Sequence, residues 1–282
     1  MCQLDVIAKI LETLDYKVTE PPLFGWFHIM WIVLLVVGTV LFCKFVKATD
    51  KNVFKVVLIT TVISILLEIY KQINYTFTVT DGVITADYQW YAFPFQFCAM
   101  PMFIGTLYCI FAKTRARHYF AAFLATFSIF GGLVVYIYPE QVFIETLGIN
   151  IQTMIYHGFM VLVGVWLLYT QYTPLKHKTL AKAVVVFAGC IVAAIILNEV
   201  AVKTGFIGDE TFNMFYISPH FEGTLPIYCE VQKVVPYPWS LIIYIIGFSA
   251  AAYVILLVAM LINKLGKGKK AKKEPAKDTV TV

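Results

Sequence analysis

The chain has 282 residues, 60% of them hydrophobic and only 14% charged, with a net charge of +5. A soluble domain of this length carries about a quarter charged residues. The deficit excludes a water-soluble globule, and lipid is the solvent for most of the chain.

In chain order, residues 1–20 come first. They are mixed and polar, without the basic start and apolar run of a cleaved signal. Leu4, Ile7, Ile10, Leu11 and Leu14 share one helical face, which predicts a short amphipathic helix on the membrane surface. Pro21 and Pro22 end it. Seven apolar runs follow: Phe24–Val46, Val53–Tyr75, Phe93–Ala112, Tyr119–Tyr138, Asn150–Gln171, Thr179–Val202 and Tyr237–Asn263. Each approaches the roughly 20 residues that a helix needs to cross a core of about 30 Å. Lipid forbids unpaired backbone groups, so these runs are predicted as helices. Residues 24–263 are thus read as the transmembrane domain and residues 264–282 as a basic cytoplasmic tail.

Basic residues set the orientation, because cytoplasmic loops hold the excess of Lys and Arg. The first, third and fifth connections and the tail carry 17 of the 22, among them Lys44, Lys51, Arg115 and Lys178. The other side carries Lys9, Lys17, Lys71, Lys203 and Lys233. The fold class is therefore an all-α polytopic membrane helical bundle of about seven transmembrane helices. Its N-terminus is expected outside and its C-terminus in the cytoplasm, as for a multi-pass protein of the cell membrane. Two connections on the lysine-poor side are long. Residues 76–92 hold β-branched residues around Asp81-Gly82, a hairpin signal. Residues 204–236 are acidic and aromatic, either a lid or a plain connector.

Polar groups inside spans are costly and mark sites or internal pairs. Here they are His28, then Glu68, Lys71, Gln72 and Asn74, then Gln96 and Cys98, then Gln152, Thr153 and His157, then Asn198 and Glu199. Glu68 and His157 lie about 10 Å inside the outer ends of their spans, and Cys98 about 7 Å inside. Their common depth predicts one polar cavity open toward the outer side. The simpler readings stand beside it. An intramembrane Cys is often packing. Glu68 pairs readily with Lys71, and Glu199 with Lys203. Pro101 falls inside the third span and predicts a kink beside Cys98. Gly247-x-x-x-Ala251 predicts close helix packing in the last span. Of the six cysteines, none forms a C-x-x-C pair, and Cys2 and Cys229 are placed to face an oxidising exterior.

Several short motifs carry a resemblance. Phe93-Pro94-Phe95-Gln96-Phe97-Cys98 resembles the LPLHLC signature of the YwaF-like bacterial integral membrane proteins. Tyr156-His157-Gly158 is similar to their His-Gly signature, and Asn198 with Asn213-Met214-Phe215-Tyr216 to their Asn-containing segment and N-Y-M motif. Pro236-Tyr237-Pro238-Trp239 looks like their G-P-W-P-W, and Glu68 matches their second-span Glu. That family is similar to the animal transmembrane protein 164, a phospholipid acyltransferase with an essential Cys and His. The resemblance implies acyl-chain chemistry on membrane lipids. In the animal proteins the Cys stands at the position of Phe95 here, one helical turn before Cys98, and Gln96 replaces the motif His.

Two functions follow as expectations. The first is a lipid acyltransferase or acyl-ester hydrolase acting on outer-leaflet lipids, with Cys98 as nucleophile and His157 as base. Glu68, Gln96, Asn198, Asn213 and Trp239 are its expected orienting and substrate-binding residues. The second is a non-catalytic transporter or lipid-binding protein using the same cavity, favoured by the loss of the motif His and Cys. No P-loop, dinucleotide fingerprint or ligand-spaced His pair occurs, so no cofactor, no metal and no nucleic-acid partner are expected.

Overall fold

A computed structural model describes residues 3–139 and 142–271 of the chain. Cys2 and most of the expected tail lie outside the described residues. The helices are α1 Gln3–Leu14, α2 Trp26–Phe45, α3 Asp50–Asn74, α4 Met100–Ile110, α5 Arg117–Leu124, α6 Phe127–Ile137, α7 Leu147–Tyr169, α8 His177–Thr204, α9 Tyr228–Val234 and α10 Trp239–Ala271. Among the described residues, six helical stretches are long and apolar enough to cross a membrane, with α5 and α6 counted as one. A seventh, shorter apolar segment runs over Phe97–Ile110. The chain is an all-α polytopic membrane bundle.

Local chemistry sets the ends. Thr49 caps α3 by accepting from the Asn52 N–H. Gly205 closes α8 in the left-handed conformation, with φ 67°. Between α3 and α4, strands β1 Phe77–Thr80 and β2 Val83–Ala86 pair antiparallel, with Thr80 opposite Val83. Asp81 and Gly82 form the two-residue turn, both at positive φ, as a tight hairpin requires.

The third and fourth spans differ from the sequence expectation. Residues 93–96 are not helical, Phe97–Ala99 form a single 3-10 turn, and α4 starts only at Met100. Pro101 thus sits in the first turn of α4, where a missing N–H costs nothing. It begins a helix rather than kinking one. The fourth span breaks at Ala125–Thr126, where Thr126 leaves helical geometry at φ −133° and its hydroxyl bonds to Ala122 O at 2.8 Å.

Helix α7 is the central element, buried along most of its length, while α2 and α10 are largely open to lipid. Close approach of α6 and α7 depends on glycine. A Cβ on Gly132 would stand 2.8 Å from His157 O and 2.7 Å from a Val161 methyl. An aromatic core fills the space between α6, α8 and α10. Phe127 stacks on Phe187 at 4.5 Å, Tyr244 on Phe248 at 4.1 Å, and Phe97 meets Phe248 edge-on at 4.9 Å. A methyl placed on Gly247 would meet nothing within 4 Å. Gly247-x-x-x-Ala251 is therefore no seat for another described helix, because α10 turns Tyr244, Ala252 and Leu256 inward instead.

Candidate functional site

The buried stripe of α3 is Val53, Val57, Thr61, Ser64 and Glu68. Its spacing of three and four keeps these residues on one face. Glu68 is 6% exposed, and a carboxylate at this depth needs partners. Lys71 Nζ approaches it at 3.0 Å, and Gln72 Nε2 donates to it at 2.7 Å. Gln72 is a hub. It also donates to Ala92 O at 2.9 Å and accepts from Tyr88 OH at 2.6 Å. Burial, and then the charge of Glu68, pushes the Tyr88 phenol up to about 12, so it stays a donor at any working pH. A groove of about 380 Å³ opens along this side of α3, with Glu68 and Gln72 beside Ile65, Ile69, Pro94 and Met102.

Cys98 lies in the 3-10 turn ahead of α4, is partly exposed, and is a free thiol. The turn is held from both sides. Phe97 is anchored among Phe127, Phe187, Phe215 and Phe248. Gln96 donates from Nε2 to Asn213 O at 3.0 Å and accepts at Oε1 from the Phe215 N–H at 2.8 Å. Asn198 reaches the residue between them. Its Nδ2 donates to Met214 O at 3.1 Å, and its Oδ1 accepts from the Met214 N–H at 2.7 Å. Asn213 in turn accepts from the Ser218 N–H at 2.9 Å and donates to Phe221 O at 3.3 Å. The three amides therefore pin residues 213–222 into the bundle. They grip a strained segment, since Phe215 and Tyr216 have φ of 60° and 59°. Trp239 stands apart at the start of α10 and is 63% exposed.

The two histidines on the helices beside α6 differ in one respect. His28 is fully buried and fully bonded: Nδ1 accepts from the Phe24 N–H at 3.1 Å, and Nε2 donates to Tyr136 O at 2.8 Å. His157 is 8% exposed, and its Nδ1 lies 2.7 Å from Thr153 O. A carbonyl oxygen only accepts, so Nδ1 carries the proton and Nε2 presents a lone pair. That Nε2 is sealed from solvent and has no partner. A buried unpaired acceptor is costly, and such groups collect at functional positions.

Cys98 and His157 share surroundings without touching. Among the described residues, no hydrogen bond joins them. Tyr156, next to His157, donates from its phenol to Ala99 O, next to Cys98, at 3.2 Å. Tyr156 thus ties the helix of His157 to the turn of Cys98, and Lys71 pairs with Glu68 on α3, at the junction of α3, α4 and α7. Asn198, Gln96 and Asn213 belong to the neighbouring loop anchor. Sequence reading missed Tyr156 and Tyr88. Tyr156 stands inside the Tyr156-His157-Gly158 motif but is given no role by it, and nothing in the sequence pairs Tyr88 with Gln72. Glu199 pairs with Lys203 at 3.4 Å, as its spacing predicts, and with His220 at 2.8 Å. No cluster of three or more His, Cys, Asp or Glu side chains suited to a metal occurs among the described residues.

Helical bundle and buried polar junction together define a multi-pass membrane protein with ionisable groups inside its spans. The model of the TMEM164 family matches residues 23–263, and the chain belongs to that family. No curated protein and no solved structure matches the chain.

Proposed function

We propose that this protein is a membrane-embedded lipid acyltransferase or acyl-ester hydrolase, of the YwaF-like bacterial kind, with Cys98 as nucleophile and His157 as general base. The observation that carries the reading is the buried, unpartnered lone pair of His157 Nε2. Nδ1 is locked on Thr153 O, so the ring is held in the tautomer that a base requires. Family membership supports the assignment.

The chemistry needs Nε2 to take the Cys98 thiol proton as sulfur attacks the ester carbonyl of a lipid. A tetrahedral intermediate forms and collapses. The C–O bond breaks, and the leaving alkoxide takes the proton from Nε2, giving a thioester and a lyso-lipid. A second hydroxyl, from water or an acceptor lipid, then loses its proton to Nε2 and attacks the thioester. The thiol returns with the proton from Nε2. Substrate must draw sulfur and imidazole together, since catalytic contacts often tighten only in the complex. On this proposal the cation that a thiolate needs beside it is Lys71, which Glu68 holds at 3.0 Å. The lipid reaches the junction sideways, along the α3 groove. The lysine distribution supports an outside N-terminus, a cytoplasmic tail, an α1 lying on the membrane surface and a groove in the outer leaflet.

The test is purified protein in vesicles that contain phospholipid labelled in one acyl chain. Cys98→Ala and His157→Ala should each lower labelled product at least about a hundredfold. Full activity in both variants removes the proposal. A second reading, a non-catalytic lipid-binding or transport protein, is favoured by the lack of a Cys98–His157 hydrogen bond. It gives saturable binding without product, unchanged by Cys98→Ala.

A further inference from the structure

Three hydroxyls near the middle of the bundle have no protein partner. Thr61 and Ser64 belong to the buried stripe of α3, and Ser128 to α6, at 6%, 7% and 1% exposure. Ser128 Oγ is sealed and unbonded. Among the described residues, Thr61 and Ser64 make no side-chain hydrogen bond either. Their neighbours behave differently. Thr60 bonds back to Val56 O at 2.9 Å, Thr106 to Met102 O at 2.9 Å and Thr126 to Ala122 O at 2.8 Å. Folding back on the preceding turn is the ordinary refuge of a hydroxyl on a helix in lipid. Thr39 on α2 and Ser249 on α10 also hold unpaired hydroxyls, each apart from the others. Thr61, Ser64 and Ser128 instead line one small cavity of about 30 Å³ between α3, α4, α6 and α7.

Size and lining decide the occupant. A water needs about 10–15 Å³ of such space and two to four polar partners, whereas apolar voids stay dry. This void has room for about two waters, and five hydroxyl side chains line it, of which Thr61, Ser64 and Ser128 are unbonded while Thr60 and Tyr156 have backbone partners. A dry void would leave all three bare in hydrocarbon, where a polar group without a bond is most costly. We propose that the chamber is a water-binding site, in which bound water joins Thr61 and Ser64 of α3 to Ser128 of α6. Gly105 fits this role, because a Cβ there would run into Thr61 Oγ1. Its bare backbone lets α4 close the chamber without displacing a hydroxyl. Tyr156 forms another wall. Ser64 is one helical turn from Glu68 on the same face, so the wet stripe of α3 continues to the candidate site. The inference needs no reaction and stands apart from the acyl-transfer proposal.

Water-edited magic-angle-spinning spectra of the full chain in lipid vesicles test it directly. The Cβ signals of Ser64 and Ser128 should build up from water several-fold faster than those of lipid-facing Val36 and Val40. Build-up as slow as at those valines overturns the proposal. Thermal unfolding of Ser128→Ala gives a second readout. A hydrated chamber loses a water ligand, and the midpoint falls. A dry chamber loses an orphaned hydroxyl, so a raised midpoint overturns the proposal.

Discussion

Replacing Asn198 by alanine is expected to lower the stability of the bundle by about 2–4 kcal/mol. Asn198 is 1% exposed and makes two hydrogen bonds, both to the backbone of Met214, itself fully buried. Each bond contributes about 1 kcal/mol net. The truncation also leaves a buried N–H and a buried C=O without partners, at about 1–3 kcal/mol each before relaxation. Polar contacts between membrane helices measure lower, at about 0.6 kcal/mol on average, which holds the total to the lower part of the summed range. The adjacent left-handed Phe215 and Tyr216 add backbone strain that this grip opposes together with the Gln96 bond to the Phe215 N–H. The assay is reversible unfolding in mixed micelles of the wild type, Asn198→Ala, Gln96→Ala and the double variant. Gln96 bonds to Asn213 and Phe215, the two neighbours of Met214. Side chains that grip one segment are coupled, and the double variant should depart from additivity by about 0.5 kcal/mol or more. A loss below about 0.5 kcal/mol for Asn198→Ala, with an additive double variant, would refute the idea of a shared anchor.

The histidines separate stability from function. His157→Gln should change the unfolding midpoint little, because Nε2 has no partner to lose and the glutamine amide can still donate to Thr153 O, while acyl transfer falls at least about a hundredfold. His28→Ala should do the reverse, costing about 2–4 kcal/mol in the same unfolding assay through two lost bonds and a vacated ring. Gly132→Ala is expected to cost about 1–3 kcal/mol, read in the same way, since the new methyl collides with backbone at His157 O rather than with a flexible side chain. Gly82→Ala should cost only about 1 kcal/mol, because the turn is open and only its φ of 76° opposes a side chain.

Much of this architecture is legible in the sequence. The apolar runs locate the helices, and Asp81-Gly82 announces the hairpin through the backbone sign that its turn demands. Glu68 with Lys71, and Glu199 with Lys203, follow from spacing on a single helix. What is less legible depends on contacts across the chain. Hydropathy alone reads Phe93–Ala112 as one span, yet residues 93–96 stay non-helical, with Gln96 bonded to a segment more than a hundred residues away. Pro101 reads as a kink or as a start depending on where that segment ends. Gln96, Asn198 and Asn213 look like ligand groups by residue type, and only the fold shows that backbone takes up their bonding capacity. Conversely, nothing in the residue types separates His28 from His157. His28 Nε2 has a carbonyl in range and His157 Nε2 has no partner at all, and that follows from packing alone.

The N-terminal helix is tied to the interior at its end. Tyr70 OH donates to Leu14 O at 2.7 Å, the Leu147 N–H donates to Tyr16 O at 3.0 Å, and the Val18 N–H donates to Glu145 O at 2.7 Å. One attachment falls two residues from Glu68. The other falls on the first residue of α7, about 15 Å along the axis from His157. Whatever displaces the first fourteen residues therefore pulls on both arms of the polar junction at once. The amphipathic segment is a handle on the polar junction it adjoins, and clipping it would release two helices rather than trim an ornament.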